Sequence, residues 1–349
     1  MAFKKHKLLS ILLLATTLLG CFSNSSNKST EDFQVVNIYT DRHYPIDDTI
    51  YKTFENEYNI KVNVVKGKSE DLLSRIDKEG SSTKADLFIT ADIGRLFQAK
   101  KADFFKAINP PEELVNVPDY LYDEEGYWFG LTKRARVIVY AHDRISSEEL
   151  STYEDLMHPK WKGKIAVRSK ENVYNQSLLA GIIAANGSDK SLEWVKGIVD
   201  NMYQSPKGND RDQVKAVYAG KADIAIVNTY YIGQMLYSDD QLERKAAQSV
   251  TVFYPNQDGR GAHINVSGGG VLKHAKNAKN AEKLLAYLLE PNAQKLFAQA
   301  NYEFPVNKTI PISHELITWG EFKEDKVDLN KIGQLNTSAI KLFDKGGWK

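Results

Sequence analysis

Residues 33–106 alternate between short strand-like runs and stretches with helical apolar spacing. Strands are predicted at residues 34–39, 60–65 and 86–90. Helices are predicted at residues 46–58, 69–79 and 92–100. Ser69 is the predicted N-cap of the second helix, and Gly80 is its predicted C-terminal stop. This βαβαβα order predicts a mainly parallel sheet covered by helices.

The rest of the chain repeats this rhythm after an irregular, turn-rich stretch at residues 109–126. Further strands are predicted at residues 136–141, 164–168, 222–227, 250–254 and 263–266. Further helices are predicted at residues 176–185, 192–203, 211–219, 230–237, 278–289, 292–300 and 329–343. A folded part of about 317 residues exceeds the usual size of one core, so two lobes are expected. We predict lobe one at residues 33–131 plus 262–310 and lobe two at residues 132–261 plus 311–349.

The N-terminus has the pattern of an export signal. Three lysines precede the apolar run at residues 8–19, which has secretory length and is too short to span a bilayer comfortably. The run ends in Leu18-Leu19-Gly20-Cys21, which resembles a bacterial lipobox. We expect residues 1–20 to be a lipoprotein signal peptide, Cys21 to carry a lipid and residues 21–32 to form a flexible tether. The mature protein would then be exported and membrane-anchored, in the periplasm or at the cell surface.

Composition excludes several classes of protein. Cys21 is the only cysteine, which rules out an intramolecular disulfide and a thiolate metal cluster. The net charge is +1 and becomes −2 once three lysines leave with the signal peptide, so nucleic acid is not an expected partner. The sequence has no H-E-x-x-H motif, no P-loop and no nucleophile elbow.

Tyrosines follow three of the predicted strands. Tyr44 comes after the first strand of lobe one, Tyr174 follows residues 164–168, and Tyr230 and Tyr231 follow residues 222–227. In open parallel sheets, ligands bind beyond the carboxyl ends of the strands. We therefore expect these tyrosines to face one cleft between the lobes.

Converging phenolates suit a hard trivalent cation such as Fe3+. Free tyrosine has a pKa of about 10, and the field of a bound cation favours its deprotonated form. Four phenolates around Fe3+ would leave one net negative charge, which a neutral His43 would not change. Arg42 is the first candidate to balance that charge because it is next to the tyrosine segment, and Arg134 and Arg260 are further candidates.

Other interpretations of the same residues stay open. Tyrosines at strand ends are often half-buried packing residues with solvated hydroxyls. A two-lobed binder of an oxyanion or small organic solute would use Arg42, Arg168 and the glycine run 268–270, which could cradle an anion or form a tight turn. An envelope enzyme would use His43 in acid–base chemistry.

Five segments together resemble the bacterial ferric-iron periplasmic binding proteins of ABC transporters, the Fbp/Fut group. They are residues 42–44, 168–177, 228–231, 260–270 and 302–307, and the likeness spans essentially the whole mature chain. The resemblance implies a two-lobed type II periplasmic-binding fold, with mixed, mainly parallel sheets, helices on both faces and a ligand cleft between the lobes. It implies no enzymatic activity, Fe3+ as the transported ligand, a permease in the cytoplasmic membrane as partner, and a monomer.

Carried over by motif, the resemblance implies that Tyr44, Tyr174, Tyr230 and Tyr231 are the iron ligands, with His43 as a fifth ligand or close neighbour. The subgroup that this chain is most similar to holds iron without a synergistic anion. The other subgroup uses one histidine, one glutamate, two tyrosines and a bound anion. Residues 92–94 would supply that glutamate and contain none, which is consistent with the tyrosine subgroup.

Overall fold

The computed structural model describes residues 34–349, so the predicted signal peptide, Cys21 and the tether lie outside the described residues. Strands in the described part are β1 Gln34–Thr40, β2 Ile60–Lys66, β3 Leu87–Thr90, β4 Phe129–Ala141, β5 Ile165–Ala166, β6 Ile224–Asn228, β7 Val250–Phe253, β8 Ile264–Val271 and β9 Phe304–Pro305. Helices are α1 Pro45–Tyr58, α2 Ser69–Glu79, α3 Ile93–Lys101, α4 Val173–Asn186, α5 Ser188–Asn201, α6 Asp210–Tyr218, α7 Thr229–Leu236, α8 Gln241–Gln248, α9 Ala278–Leu289, α10 Pro291–Asn301, α11 His314–Thr318 and α12 Leu329–Gly346.

The strands form one mixed sheet in the order β2-β1-β3-β8-β4-β6-β5, and β7 and β9 also pair with β4. β1 is parallel to β2 and β3, and β5 is parallel to β6. β4 is antiparallel to each of its four partners. The predicted mixed α/β fold is confirmed. Within residues 34–349, however, antiparallel pairings outnumber parallel ones because of the many partners of β4.

β4 is a long strand whose two halves pair with different strands of the sheet. Its first half pairs with β8, and its second half, from Arg136 onward, pairs with β6 and β7. Val137 and Val139 pack into one hydrophobic core, whereas Ile138 and Tyr140 pack into the other. This follows from the alternation of side chains along a strand. The predicted lobe boundary at residues 131 and 132 falls inside β4, and the lobe limits stay a prediction.

Helix termini follow local sequence rules with one exception. Gly80 adopts a φ of 50° directly after α2, and Gly187 adopts a φ of 78° after α4, which are conformations that glycine tolerates best. The prediction of Ser69 as an N-cap is wrong, since Lys68 is the N-cap residue and Ser69 begins the helix. The Ser69 hydroxyl instead bonds to the side chains of Asp41 and Thr90.

The prediction of a turn or anion cradle at residues 268–270 is wrong. All three glycines lie inside β8 and pair with β3, and Gly268 and Gly269 also pair with β4. A Cβ atom at Gly270 would overlap the carbonyl oxygen of Tyr127, and one at Gly268 would lie 2.6 Å from the carbonyl oxygen of Phe129. Close backbone approach, and not anion binding, therefore explains these glycines.

Helix α12 closes the structure by packing across α3, α4 and α5. A Cβ at Gly333 would collide with Phe97, so the absence of a side chain lets α12 lie close to α3. In the part of the chain from residue 34 onward, no helix is long and apolar enough to cross a membrane.

Candidate metal centre

Tyr44 is held at the start of α1. It is the N-cap residue, with an extended backbone, and Pro45 follows as the first helical residue. The preceding loop is fixed by Asp41, whose carboxylate accepts a 2.8 Å hydrogen bond from the backbone N–H of Ala91 and a 3.2 Å bond from the Thr90 hydroxyl. The loop after β1 is therefore tied to the end of β3.

The other three tyrosines lie in the first turns of two helices. Tyr174 is the second residue of α4, whose N-cap Asn172 accepts a hydrogen bond from the N–H of Asn175. Tyr230 and Tyr231 are the second and third residues of α7, which begins as soon as β6 ends. This placement agrees with the prediction that the tyrosines follow strands.

The structure brings the four tyrosines together. The Tyr230 hydroxyl lies 3.2 Å from the Tyr174 hydroxyl. The ring centroids of Tyr230 and Tyr231 are 4.3 Å apart, and those of Tyr230 and Tyr44 are 5.7 Å apart in an edge-to-face arrangement. Tyr44, Tyr174 and Tyr230 are 5%, 8% and 1% exposed, so the cluster is mostly shielded from water.

Burial and mutual repulsion keep these phenols protonated. Burial raises the pKa of Tyr230 well above its usual value, and negative charge on Tyr174, Tyr231 or Tyr44 would raise it further. Burial likewise raises the pKa of Tyr44 and that of Tyr231. The pKa of Tyr174 is also raised by burial, although Arg134 opposes the shift. Ionising the set therefore requires a strong positive charge at the cluster.

Arg42 lies against Tyr44, and its role in balancing the charge of the site stays a prediction. Its guanidinium carbon is 4.7 Å from the centre of the Tyr44 ring. The group is 1% exposed and forms buried ion pairs with Asp47 at 2.9 Å and with Glu303 at 3.1 Å. Arg42 is thus locked in place by two carboxylates, which leave one excess negative charge on this side of the cluster.

Two arginines contact the Tyr174 ring. The guanidinium carbons of Arg134 and Arg168 are 5.1 and 5.8 Å from its centre. Arg134 also pairs with Asp92 at 3.6 Å. Arg168 pairs with the fully buried Asp210 at 2.6 Å, and Arg136 pairs with the same carboxylate. Because Arg136 and Arg168 both pair with the single carboxylate of Asp210, one positive charge is left in excess near Tyr174.

Arg260 occupies a different place from the one predicted for a balancing charge. It pairs with Glu154 at 2.7 Å and with Asp325 at 3.1 Å. Within residues 34–349, no ion pair or cation–π contact joins it to the tyrosine cluster. Arg260 also acts on His263: burial lowers the pKa of His263 to about 3, and Arg134, Arg136 and Arg260 act in the same direction.

His43 lies beside the cluster and is exposed. Its ring centroid is 5.1 Å from that of Tyr44, and its Nδ1 is 3.2 Å from the backbone carbonyl oxygen of Asp41. Because a carbonyl oxygen only accepts hydrogen bonds, this contact requires the proton on Nδ1. The lone pair of Nε2 is then available to a ligand.

An open cleft of about 840 Å³ lies next to the cluster. Its walls include four of the predicted ligands and two arginines, namely His43, Tyr44, Tyr174, Tyr231, Arg168 and Arg211. In the described residues, no group of three or more His, Cys, Asp and Glu side chains is placed to hold a metal ion. The cleft is thus distinguished by its phenols and not by carboxylates.

Sequence reasoning missed the roles of Arg168, Asp210 and Glu303 in the balance of charge. Arg168 was identified only as a contact for an anionic solute. The sequence does not single out Asp210, which is the first residue of the polar helix α6. Glu303 stands out only as one member of the segment at residues 302–307. The only indication in the sequence was that Glu303 is a charged residue directly before the apolar residues 304–306. In the structure Glu303 is 0% exposed.

These features define a two-lobed α/β protein that binds a solute in a cleft. The chain belongs to the bacterial extracellular solute-binding protein family, which matches residues 49–324. Members of this family bind solutes and are not enzymes, which agrees with the prediction of a non-catalytic protein.

Similar proteins support the resemblance to the ferric-iron group. Iron uptake protein A1 from Synechocystis sp. is 45% identical over 316 residues, which cover 90% of this chain and 88% of that protein. A Trichodesmium structure, described as IdiA or FutA in complex with iron and citrate ligands, is 45% identical with a TM-score of 0.86 and covers 90% of this chain and 100% of that one. The ferric binding protein from Campylobacter jejuni is 39% identical with a TM-score of 0.87 and the same coverage. The predicted type II periplasmic-binding fold and membership of the Fbp/Fut group are confirmed.

Proposed function

We propose that this protein captures Fe3+ through the phenolates of Tyr44, Tyr174, Tyr230 and Tyr231 and delivers it to an ABC transporter permease. The observation that carries the proposal is the packing of four phenols from three separate segments against one another beside an open cleft. The names of the similar proteins, which are iron uptake and ferric-binding proteins, support the choice of metal.

The chemistry of the cluster favours a trivalent cation. Each phenol has a raised pKa, so a cation must supply enough field to remove several protons at neutral pH. Fe3+ is hard and highly charged, and tyrosinate is among the ligands that proteins use for ferric iron. A divalent cation would gain less from the same four phenolates because the attraction scales with its charge.

His43 has two available roles in this proposal. With its proton on Nδ1, it could supply Nε2 as a fifth ligand, or it could stay at the rim as a neighbour of Tyr44. A neutral imidazole in either role would leave the charge of the site unchanged. Lipidation of Cys21 would hold the protein at the membrane that contains its permease.

The test is a visible absorption spectrum of the purified protein from residue 33 onward, with and without ferric citrate. Tyrosinate-to-Fe3+ charge transfer should give a coloured band that a strong chelator removes. Replacing Tyr230 and Tyr231 together by phenylalanine should abolish the band, whereas Tyr237→Phe, at the rim of the same cleft, should leave it intact. A colourless protein in ferric citrate would refute the phenolate site.

A binder of oxyanions or organic solutes remains the alternative on this fold. Two of the three features that the sequence offered for anion binding are not available in the structure. Arg42 is already paired with two carboxylates, and residues 268–270 lie within a strand. Arg168 is the remaining support because it lines the cleft. Calorimetric titration with phosphate and sulfate in the absence of iron should give no heat if the ferric proposal is correct.

A further inference from the structure

A continuous chain of hydrogen bonds starts at the wall of the cleft and runs into the buried interior. Arg211 Nη2 donates to Gln234 Oε1 at 2.7 Å, and Gln234 Nε2 donates to Asn301 Oδ1 at 2.6 Å. Asn301 Nδ2 then donates to Glu303 Oε2 at 2.7 Å, and this carboxylate pairs with Arg42. Arg42 in turn lies over the Tyr44 ring. The chain therefore connects α7, which carries Tyr230 and Tyr231, to the cation beside Tyr44.

Asn301 is the central residue of this chain. It is the last residue of α10, which packs on α1, and it is 2% exposed. Its carbonyl oxygen accepts from α7 while its amide group donates to Glu303, so both ends of the side chain are used. No other side chain of this size offers one acceptor and one donor in that geometry, because aspartate lacks the donor and leucine lacks both.

The backbone next to Asn301 also brings α10 and α7 together. Tyr302 caps α10 in the left-handed conformation, with a φ of 56°, and its ring stacks on Tyr237 at a centroid distance of 5.8 Å. A Cβ at Gly233 would collide with the Tyr302 ring. A left-handed tyrosine is unfavourable by itself, so it persists because these contacts hold it.

We propose that Asn301 is a positioning residue for iron retention. It holds the α7 tyrosines in register with Arg42 and Tyr44, and breaking its bond to Gln234 lets the two sides of the site separate. This inference rests on the proposed ferric function and extends it, because it assigns control of iron release to a side chain that is not a ligand.

The experiment measures the rate at which a strong chelator removes iron from the protein. The loss of the charge-transfer band reports this rate. Asn301→Ala should release iron about tenfold faster, the factor that corresponds to loss of one or two hydrogen bonds. Its band should keep the wild-type wavelength, since all four phenolates remain. Gln234→Ala should also speed release, and adding it to Asn301→Ala should have no further effect because both changes break the same chain.

Asn307→Ala is the matched control. Asn307 is equally buried at 2% exposed and bonds to Thr309 within its own turn, so its loss should disturb local packing without changing the rate of release. The inference would be overturned if Asn301→Ala released iron at the wild-type rate. It would also be overturned if Asn307→Ala accelerated release as much as Asn301→Ala does. Fully additive effects of Asn301→Ala and Gln234→Ala would overturn it as well. Failure of the ferric function itself is distinguishable, because the wild-type protein would then show no band.

Discussion

Proton release on iron binding offers a direct count of the phenolates in the site. Burial raises the pKa of Tyr44, Tyr174, Tyr230 and Tyr231, so each is protonated at pH 7 before iron binds. Binding of Fe3+ should therefore release about four protons, one from each phenol. Replacing any one of these tyrosines by phenylalanine should reduce the count by about one.

The pH dependence of affinity has the same origin. A group that loses a proton on binding strengthens binding as pH rises, up to the pKa of the free protein. Each such proton changes the affinity about tenfold per pH unit, because one pKa unit corresponds to about 1.36 kcal/mol. With four protons, the affinity for free Fe3+ should rise about 10,000-fold from pH 6 to pH 7. A single phenylalanine variant should show a rise of only about 1,000-fold.

The assay adds one ferric chelate to weakly buffered protein and follows pH with an indicator dye. The donor chelate takes up protons of its own as it loses iron, so the useful quantity is the difference between wild type and variant. Tyr237→Phe serves as the control, since Tyr237 lines the cleft and bonds to Glu315 outside the cluster. If the variants at the four tyrosines released as many protons as wild type, the phenolate assignment would be wrong.

Three further predictions concern the scaffold. Arg42→Met leaves two buried carboxylates without a cation and should lower the free energy of unfolding by about 3–5 kcal/mol in urea titrations. Arg75→Met removes only a surface ion pair with Glu79 and a contact with the Tyr39 ring, so its effect should be much smaller. Gly270→Ala should cost about 1–3 kcal/mol in the same assay because its methyl group would overlap a backbone carbonyl, whereas the new carbon of Gly259→Ala would lie 3.6 Å from its nearest neighbour and should be tolerated. Burial opposes ionisation of Asp210, but its two arginine partners keep its pKa below the usual value, so the stability it contributes is present above pH ~4 and is lost as pH falls further. Asp210→Asn should therefore flatten this part of the acid unfolding profile, and an unchanged profile would contradict the assignment.

Much of the fold was predictable because its determinants are local. The alternation of apolar runs located β1, β2, β3 and the helices between them to within a few residues. The tyrosines could be identified for the same reason, since each stands a few residues after a strand. Two helices were not predicted, α8 and α11, and neither carries a long apolar stripe.

The missed features depend on residues that are far apart in the chain. Ser69 has the composition of an N-cap, but its hydroxyl is used by Asp41 and Thr90, so a tertiary contact overrides the local preference. The pairing of Arg168 with Asp210 joins positions that periodicity cannot connect. The glycines at 268–270 had the composition of a turn, and only the approach of neighbouring strands showed why they are extended. Charge pairing and backbone proximity therefore required the structure.

The path of β4 has a consequence for engineering this protein. A cut between residues 131 and 132 divides β4, which pairs with β8 on both sides of the cut and with β6 and β7 beyond it, so neither fragment would keep the complete strand. A split reporter based on this protein should be divided at an exposed loop, such as the one near Gly163, where added atoms meet no neighbour within 4 Å. The same strand makes this protein a poor candidate for exchange of one lobe with the corresponding lobe of a relative. Each lobe from the donor would bring only half of a strand that both lobes share.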